Sequence, residues 1–123
     1  MTWTRTSSAG IARDWEKSMV ALNNVIELSE RIAKEFDPER IILFGSYAYG
    51  TPGEDSDVDL LVIMPFEGSG FDKSLEILDR LDPRFAIDLV VRRPDDTERR
   101  YRELDPLIRD ALDQGRILYE RKR

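Results

Sequence analysis

Apolar and polar positions fall in blocks along this chain, and the period of each block predicts an element. Trp15, Met19, Leu22 and Ile26, then Ile32, Ala33 and Phe36, recur at steps near three and four residues. That spacing predicts an amphipathic helix from Asp14, ended by Asp37-Pro38. "RIILFG" is a short apolar run closed by glycine and reads as a buried strand. Residues 46–50 follow as one helical turn, with Ser46 as its expected cap. "TPGEDS" is loop by composition, and "DVDLLVIM" is a second strand.

"PFEGSG" marks another turn. Phe71, Leu75, Leu78 and Leu81 then predict a helix that stops near Asp82-Pro83. "FAIDLVVR" is a third strand, residues 95–113 are helical with a break or kink at Pro106, and "GRILYE" is a closing strand. Residues 1–13, rich in serine and threonine, read as a tail. The order helix, strand, strand, helix, strand, helix, strand predicts one mixed α/β (α+β) domain over residues 14–123. It would hold a small mixed β-sheet with flanking helices.

Composition narrows the chemistry. The 123 residues suffice for one domain with a modest core, and 41% are apolar. The net charge of −6 disfavours broad binding to nucleic acid. With neither cysteine nor histidine, there is no thiolate or imidazole ligand. Hard oxygen ligands favour magnesium, manganese or calcium. The first residues lack the apolar stretch of a signal peptide, and no segment approaches the roughly 18–20 apolar residues of a membrane span. A cytoplasmic location is the expectation.

The feature that calls for explanation is a pair of aspartates, Asp57 and Asp59, heading the apolar run Leu60-Leu61-Val62. Carboxylates in a buried strand are costly unless paired, so the strand end is wet or a cation belongs there. Strand side chains alternate, so Asp57 and Asp59 share a face. Asp88 interrupts a second apolar run, and it joins them if its strand is a neighbour. Three carboxylates from two strands would suit a pair of magnesium ions, generally about 3.5–4 Å apart, and hence phosphoryl or nucleotidyl transfer. A tight turn at Gly45, with the Ser46 hydroxyl beside it, would let a phosphate approach the backbone. Each piece alone has an ordinary reading. Asp-x-Asp occurs in solvated loops, Gly-Ser in turns, and Asp88 could be an edge residue paired with Arg40 or Arg92. The arginine-dense "RRPDDTERRYRELD" reads as a solvated helix with local ion pairs.

Together, "LFGS", "DSDVDLLV" and "AIDLVV" resemble the minimal nucleotidyltransferases of the DNA polymerase β superfamily. The likeness is to the stand-alone kind paired with a HEPN-domain protein in toxin–antitoxin modules, and it covers about residues 14–120. The resemblance implies a nucleotidyltransferase fold, with Gly45 and Ser46 binding the nucleotide triphosphate. Asp57 and Asp59 would hold both Mg2+ ions. Asp88 would ligate the catalytic metal and help deprotonate the acceptor. It further implies transfer of AMP from ATP to a hydroxyl, a tyrosine of a HEPN ribonuclease toxin, with the chain acting as antitoxin in a homo- or hetero-oligomer. Two other readings stand beside it: an antitoxin that acts by occlusion, and transfer to a small molecule or RNA. One departure is visible. Many relatives carry arginines in a "GSRARG" loop, whereas this chain has "GSYAYG", with Tyr47 and Tyr49 in those places. Arg40, Lys73 or a partner's arginines are the expected substitutes for the missing charge.

Overall fold

The computed structural model describes residues 14–50 and 57–122, with side chains from residue 22 onward. The expected tail over 1–13, the Thr51–Ser56 turn and the side chains of Trp15 and Met19 lie outside the described residues.

Helix α1 spans Asp14–Phe36. Val25, Leu28 and Ile32 form its buried stripe, whereas Ile26 is 40% exposed. Ile32 is buried as expected and Leu22, Ala33 and Phe36 pack half-buried against the same core, so among the described residues Ile26 alone departs from the expected stripe, with Val25 and Leu28 filling the inward positions beside it. Ser29 is buried among these residues, and its hydroxyl donates back to the Ile26 carbonyl at 2.7 Å, which satisfies it locally. Asp37 adopts a left-handed φ of 49°, and with Pro38 following, the helix ends where expected.

Strands β1 (Arg40–Phe44) and β2 (Val58–Ile63) pair antiparallel, either side of the four-residue α2 (Ser46–Tyr49). From β2 the chain enters α3 (Gly70–Leu81) and returns as β3 (Ile87–Arg92), parallel to β2. Helices α4 (Pro94–Arg102) and α5 (Pro106–Gln114) follow, and β4 (Arg116–Glu120) closes antiparallel on β1 with an irregularity at Ile41/Ile42. The sheet order is β3-β2-β1-β4. The parallel pairing of β2 and β3 needs a crossover, which α3 supplies.

Two apolar layers cover the sheet. Ile41, Leu43, Val58, Leu60, Val62, Leu89 and Val91 face α1 and α3. Ile42, Phe44, Leu61 and Ile63 face Ile108 and Ala111 of α5. The central strands are buried on both sides, which is why their sequences read as continuous apolar runs rather than as alternation.

The expected stripe on α3 holds at Leu81 and, half-buried, at Leu78, but is corrected at Phe71 and Leu75. Its buried side is Ser74, Ile77 and Leu81, while Phe71 is 71% and Leu75 49% exposed. Ser74 is small, and its hydroxyl bonds to the Phe71 carbonyl at 2.7 Å, so it can lie against the sheet without an unsatisfied donor. The helix begins at Ser69, whose side chain accepts from the Asp72 N–H at 3.0 Å. It ends at Asp82 in a left-handed conformation.

The expected interruption near Pro106 is a full break between α4 and α5. Leu104 takes a φ of 65°, and Asp105 caps α5 by accepting from the N–H groups of Leu107 and Ile108 at 3.0 and 3.2 Å. The arginines of α4 pair locally: Arg99 with Asp96 and Glu103, and Arg100 with Asp96 and Asp105. This is the solvated, ion-paired helix that the sequence suggested. No described helix is long and apolar enough to cross a membrane.

Candidate active site

The parallel register places Asp59 directly beside Asp88. Across β1 the same position is Phe44, so Asp59 stands at the end of the strand pair, where the chain enters the α2 turn. Face alternation puts Asp59 on the side of Leu61 and Ile63, the layer facing α5. Leu61 is fully buried, whereas Asp59 is half-buried and Asp57 and Asp88 are exposed. The apolar run therefore begins wet and becomes dry two residues in. This is how a buried strand carries carboxylates at all.

The electrostatics are those of an uncompensated acidic group. Burial first, and then repulsion from Asp88, Asp57 and Asp110, pushes the Asp59 carboxyl above its ordinary range. The side-chain carboxylates of Asp57, Asp59 and Asp88 make no hydrogen bond or ion pair with another described residue. The alternative of Asp88 paired with Arg40 or Arg92 is not what the structure has. Arg92 instead donates to the Val91 carbonyl at 3.1 Å. The three carboxylates share one end of the sheet, but among the described residues no group of three or more acids is gathered at metal-binding geometry.

Gly45 is required twice over. Its φ of 77° and ψ of −160° lie in a region essentially reserved for glycine. A Cβ built on it would also collide with the Asp59 carboxylate. The turn thus lies immediately over the acid, with nothing but hydrogen between them. Ser46 is not the cap expected from the sequence. Gly45 holds the N-cap position, its carbonyl accepting from Ala48 and Tyr49, and no side-chain cap bond forms. A tight turn that begins on glycine leaves the serine one position inside, so its hydroxyl has no partner among the described residues.

The two loop tyrosines differ. Tyr47 is half-buried against the α1-side core, where its ring serves packing. Tyr49 is 48% exposed, and its hydroxyl donates to the Asp110 carboxylate of α5. The bond and burial raise the Tyr49 pKa above its ordinary value. Sequence reading missed Asp110. It stands in an ordinary helical stretch, "IRDALD", and only the packing of α5 on the sheet brings it near Asp59.

The expected charge substitutes are elsewhere. Arg40 pairs with Ile63, at the strand end away from Asp59. Lys73 is engaged by Glu76 at 3.1 Å and lies over the Phe36 ring at 5.5 Å. A hollow of about 500 Å³ lined by residues including Glu39, Arg40, Tyr101 and Asp113 opens at the Arg40–Ile63 end and includes none of the three aspartates.

Comparison with known proteins places the sequence and the fold. The sequence model of the nucleotidyltransferase domain matches residues 25–119. A protein of Methanocaldococcus jannaschii named as a putative protein adenylyltransferase is 35% identical over 107 residues, covering 81% of this chain and 73% of that protein. A second of the same name and organism is 30% identical over 83 residues, covering 66% of this chain and 78% of its own length. Among solved structures, a putative nucleotidyltransferase from Sulfolobus solfataricus superposes with a TM-score of 0.63 at 22% identity, over 91% of this chain and 94% of its own. A chain of the MntA-HpeT toxin–antitoxin complex superposes at 0.51 with 23% identity, over 81% of this chain and 73% of its own. The family match spans the Gly-Ser turn and Asp57, Asp59 and Asp88, and this chain belongs to the nucleotidyltransferase domain family.

Proposed function

We propose that this protein is a metal-dependent nucleotidyltransferase that moves AMP from ATP to a hydroxyl of a partner protein. The acceptor is a tyrosine of a HEPN-class toxin, and the protein is the antitoxin that silences it. The observation that carries the reading is the Asp59–Asp88 register beneath Gly45. Two relatives named for protein adenylylation support the acceptor class. The toxin–antitoxin neighbour, and a second such structure described with AMP-PNP at a TM-score of 0.50, support the partner and the nucleotide.

The donor chemistry of these residues, rather than the spacing of their carboxylates, suits a hard divalent cation. All donors are carboxylate oxygens, and Asp59 carries repulsion that no described cation relieves. Asp57, Asp59 and Asp88 would hold it. A magnesium pair would neutralise the triphosphate and lower the pKa of the attacking hydroxyl. The chain's own residues do the rest. Gly45 lets a phosphate approach the backbone, and the Ser46 hydroxyl donates to a phosphate oxygen. The exposed Asp88 carboxylate accepts the acceptor's proton as the new oxygen–phosphorus bond forms and the bond to pyrophosphate breaks.

The test is incubation with ATP labelled in its adenine moiety, magnesium and the cognate HEPN protein. Label should appear on the partner. Absence of label, or label that survives Asp57→Asn combined with Asp59→Asn, contradicts the reading.

A further inference from the structure

The Gly-Ser turn carries two tyrosines, Tyr47 and Tyr49, and no cationic side chain of its own, yet it is not left loose. Tyr49, the last residue of α2, reaches α5 and donates its hydroxyl to Asp110. The two residues are 61 positions apart, so the bond ties two separate parts of the chain. Asp110 makes no ion pair with any described residue, although Arg109 beside it pairs with Asp113. Its neighbour Ala111 is buried in the apolar layer with Phe44 and Leu61. The α5 backbone at this point is therefore fixed, and Asp110 projects from a rigid base. The other end of the turn is fixed at Gly45 over Asp59. Between these points the turn bears Ser46 and the half-buried Tyr47.

We propose that Asp110 is a positioning residue of the nucleotidyl-transfer site: by holding Tyr49 it latches the Gly45–Gly50 turn to α5 and keeps Ser46 above the Asp59–Asp88 edge. Asp110 does not touch the reacting atoms. Its effect is on how tightly the turn grips the nucleotide, so it acts on KM for ATP more than on kcat. The inference rests on the reading of the turn as the nucleotide site, but its physical core, a turn held by one long-range bond, does not.

Four variants separate the latch from its alternatives: Tyr49→Phe, Asp110→Ala, Asp110→Asn and the double Tyr49→Phe/Asp110→Ala. Hydrogen exchange of peptides covering residues 45–50 is the readout independent of activity. Tyr49→Phe and Asp110→Ala should each speed exchange there by about three- to tenfold, the scale of one net hydrogen bond. The double variant should be no faster than either single one, because both remove one bond. Asp110→Asn keeps an acceptor and should stay near wild type. In the transfer assay the same two single variants should raise KM for ATP three- to tenfold and change kcat by less than twofold, again with Asp110→Asn near wild type. Unchanged exchange in Tyr49→Phe overturns the latch. So does an Asp110→Asn variant that matches Asp110→Ala, since charge rather than the bond would then matter. If wild type transfers no AMP, the proposed function fails, while the exchange data still decide the latch.

Discussion

Asp59 on β2 stands beside Asp88 on β3 in parallel register, two carboxylates at one end of a sheet whose next inward positions are dry. Folding brings them together against their own repulsion, and no described cation relieves it. A structure that keeps such a pair costs stability when empty, so the acids have a purpose beyond the fold.

Asp59→Asn should therefore raise thermal stability in metal-free buffer while lowering nucleotidyl transfer about a hundredfold or more. Differential scanning fluorimetry and the labelled-ATP assay read the two effects. A variant that loses both stability and activity would mean that Asp59 serves the fold.

The same pair makes a pH prediction. The folded-state pKa of Asp59 is raised above its ordinary 3.8, by burial first and then by its acidic neighbours. The protonated form is thus favoured by folding, and that contribution is complete below the unfolded pKa and lost as pH rises through the folded one. The stability advantage of Asp59→Asn should be full at pH 7 and should disappear as pH falls below about 3.8. Melting temperatures of both proteins across this range, in chelator, check it.

Gly45→Ala meets two obstacles, a glycine-only backbone conformation and the Asp59 carboxylate. It should cost about 1–3 kcal/mol in urea denaturation and abolish transfer. Wild-type stability in this variant would show that the turn does not sit over Asp59.

Asp105 works in the opposite electrostatic sense. Burial alone would raise its pKa, but the Ile108 N–H, Arg100 and the Leu107 N–H together outweigh it, and the carboxyl is lowered. Its contribution is present above the unfolded pKa and lost as pH falls through the folded value. Asp105→Ala should cost about 1–2 kcal/mol at pH 7, measured by urea denaturation, and progressively less in acid.

How much was legible depended on range. β2 was readable because a short, dense apolar run bounded by turn residues reads as a strand buried on both faces, and Asp57 and Asp59 stood out against it. Gly45 and Asp88 followed from the same contrast. Helix faces were less legible. On α3 the leucine spacing pointed to Phe71 and Leu75, but a small serine at position 74 let the neighbouring stripe approach the sheet. Ser46 was misplaced by one position because a glycine at the cap leaves no side-chain signature. Asp110 was invisible, since its partner lies 61 residues away and nothing in "IRDALD" marks it.

The most direct measurement is the mass of the cognate HEPN protein after incubation with this protein, ATP and magnesium, followed by mapping of the modified residue. The account predicts whole increments of AMP on a tyrosine, absent with Asp57→Asn/Asp59→Asn. An unmodified partner that is nonetheless inhibited would contradict it and leave binding alone as the mode of action.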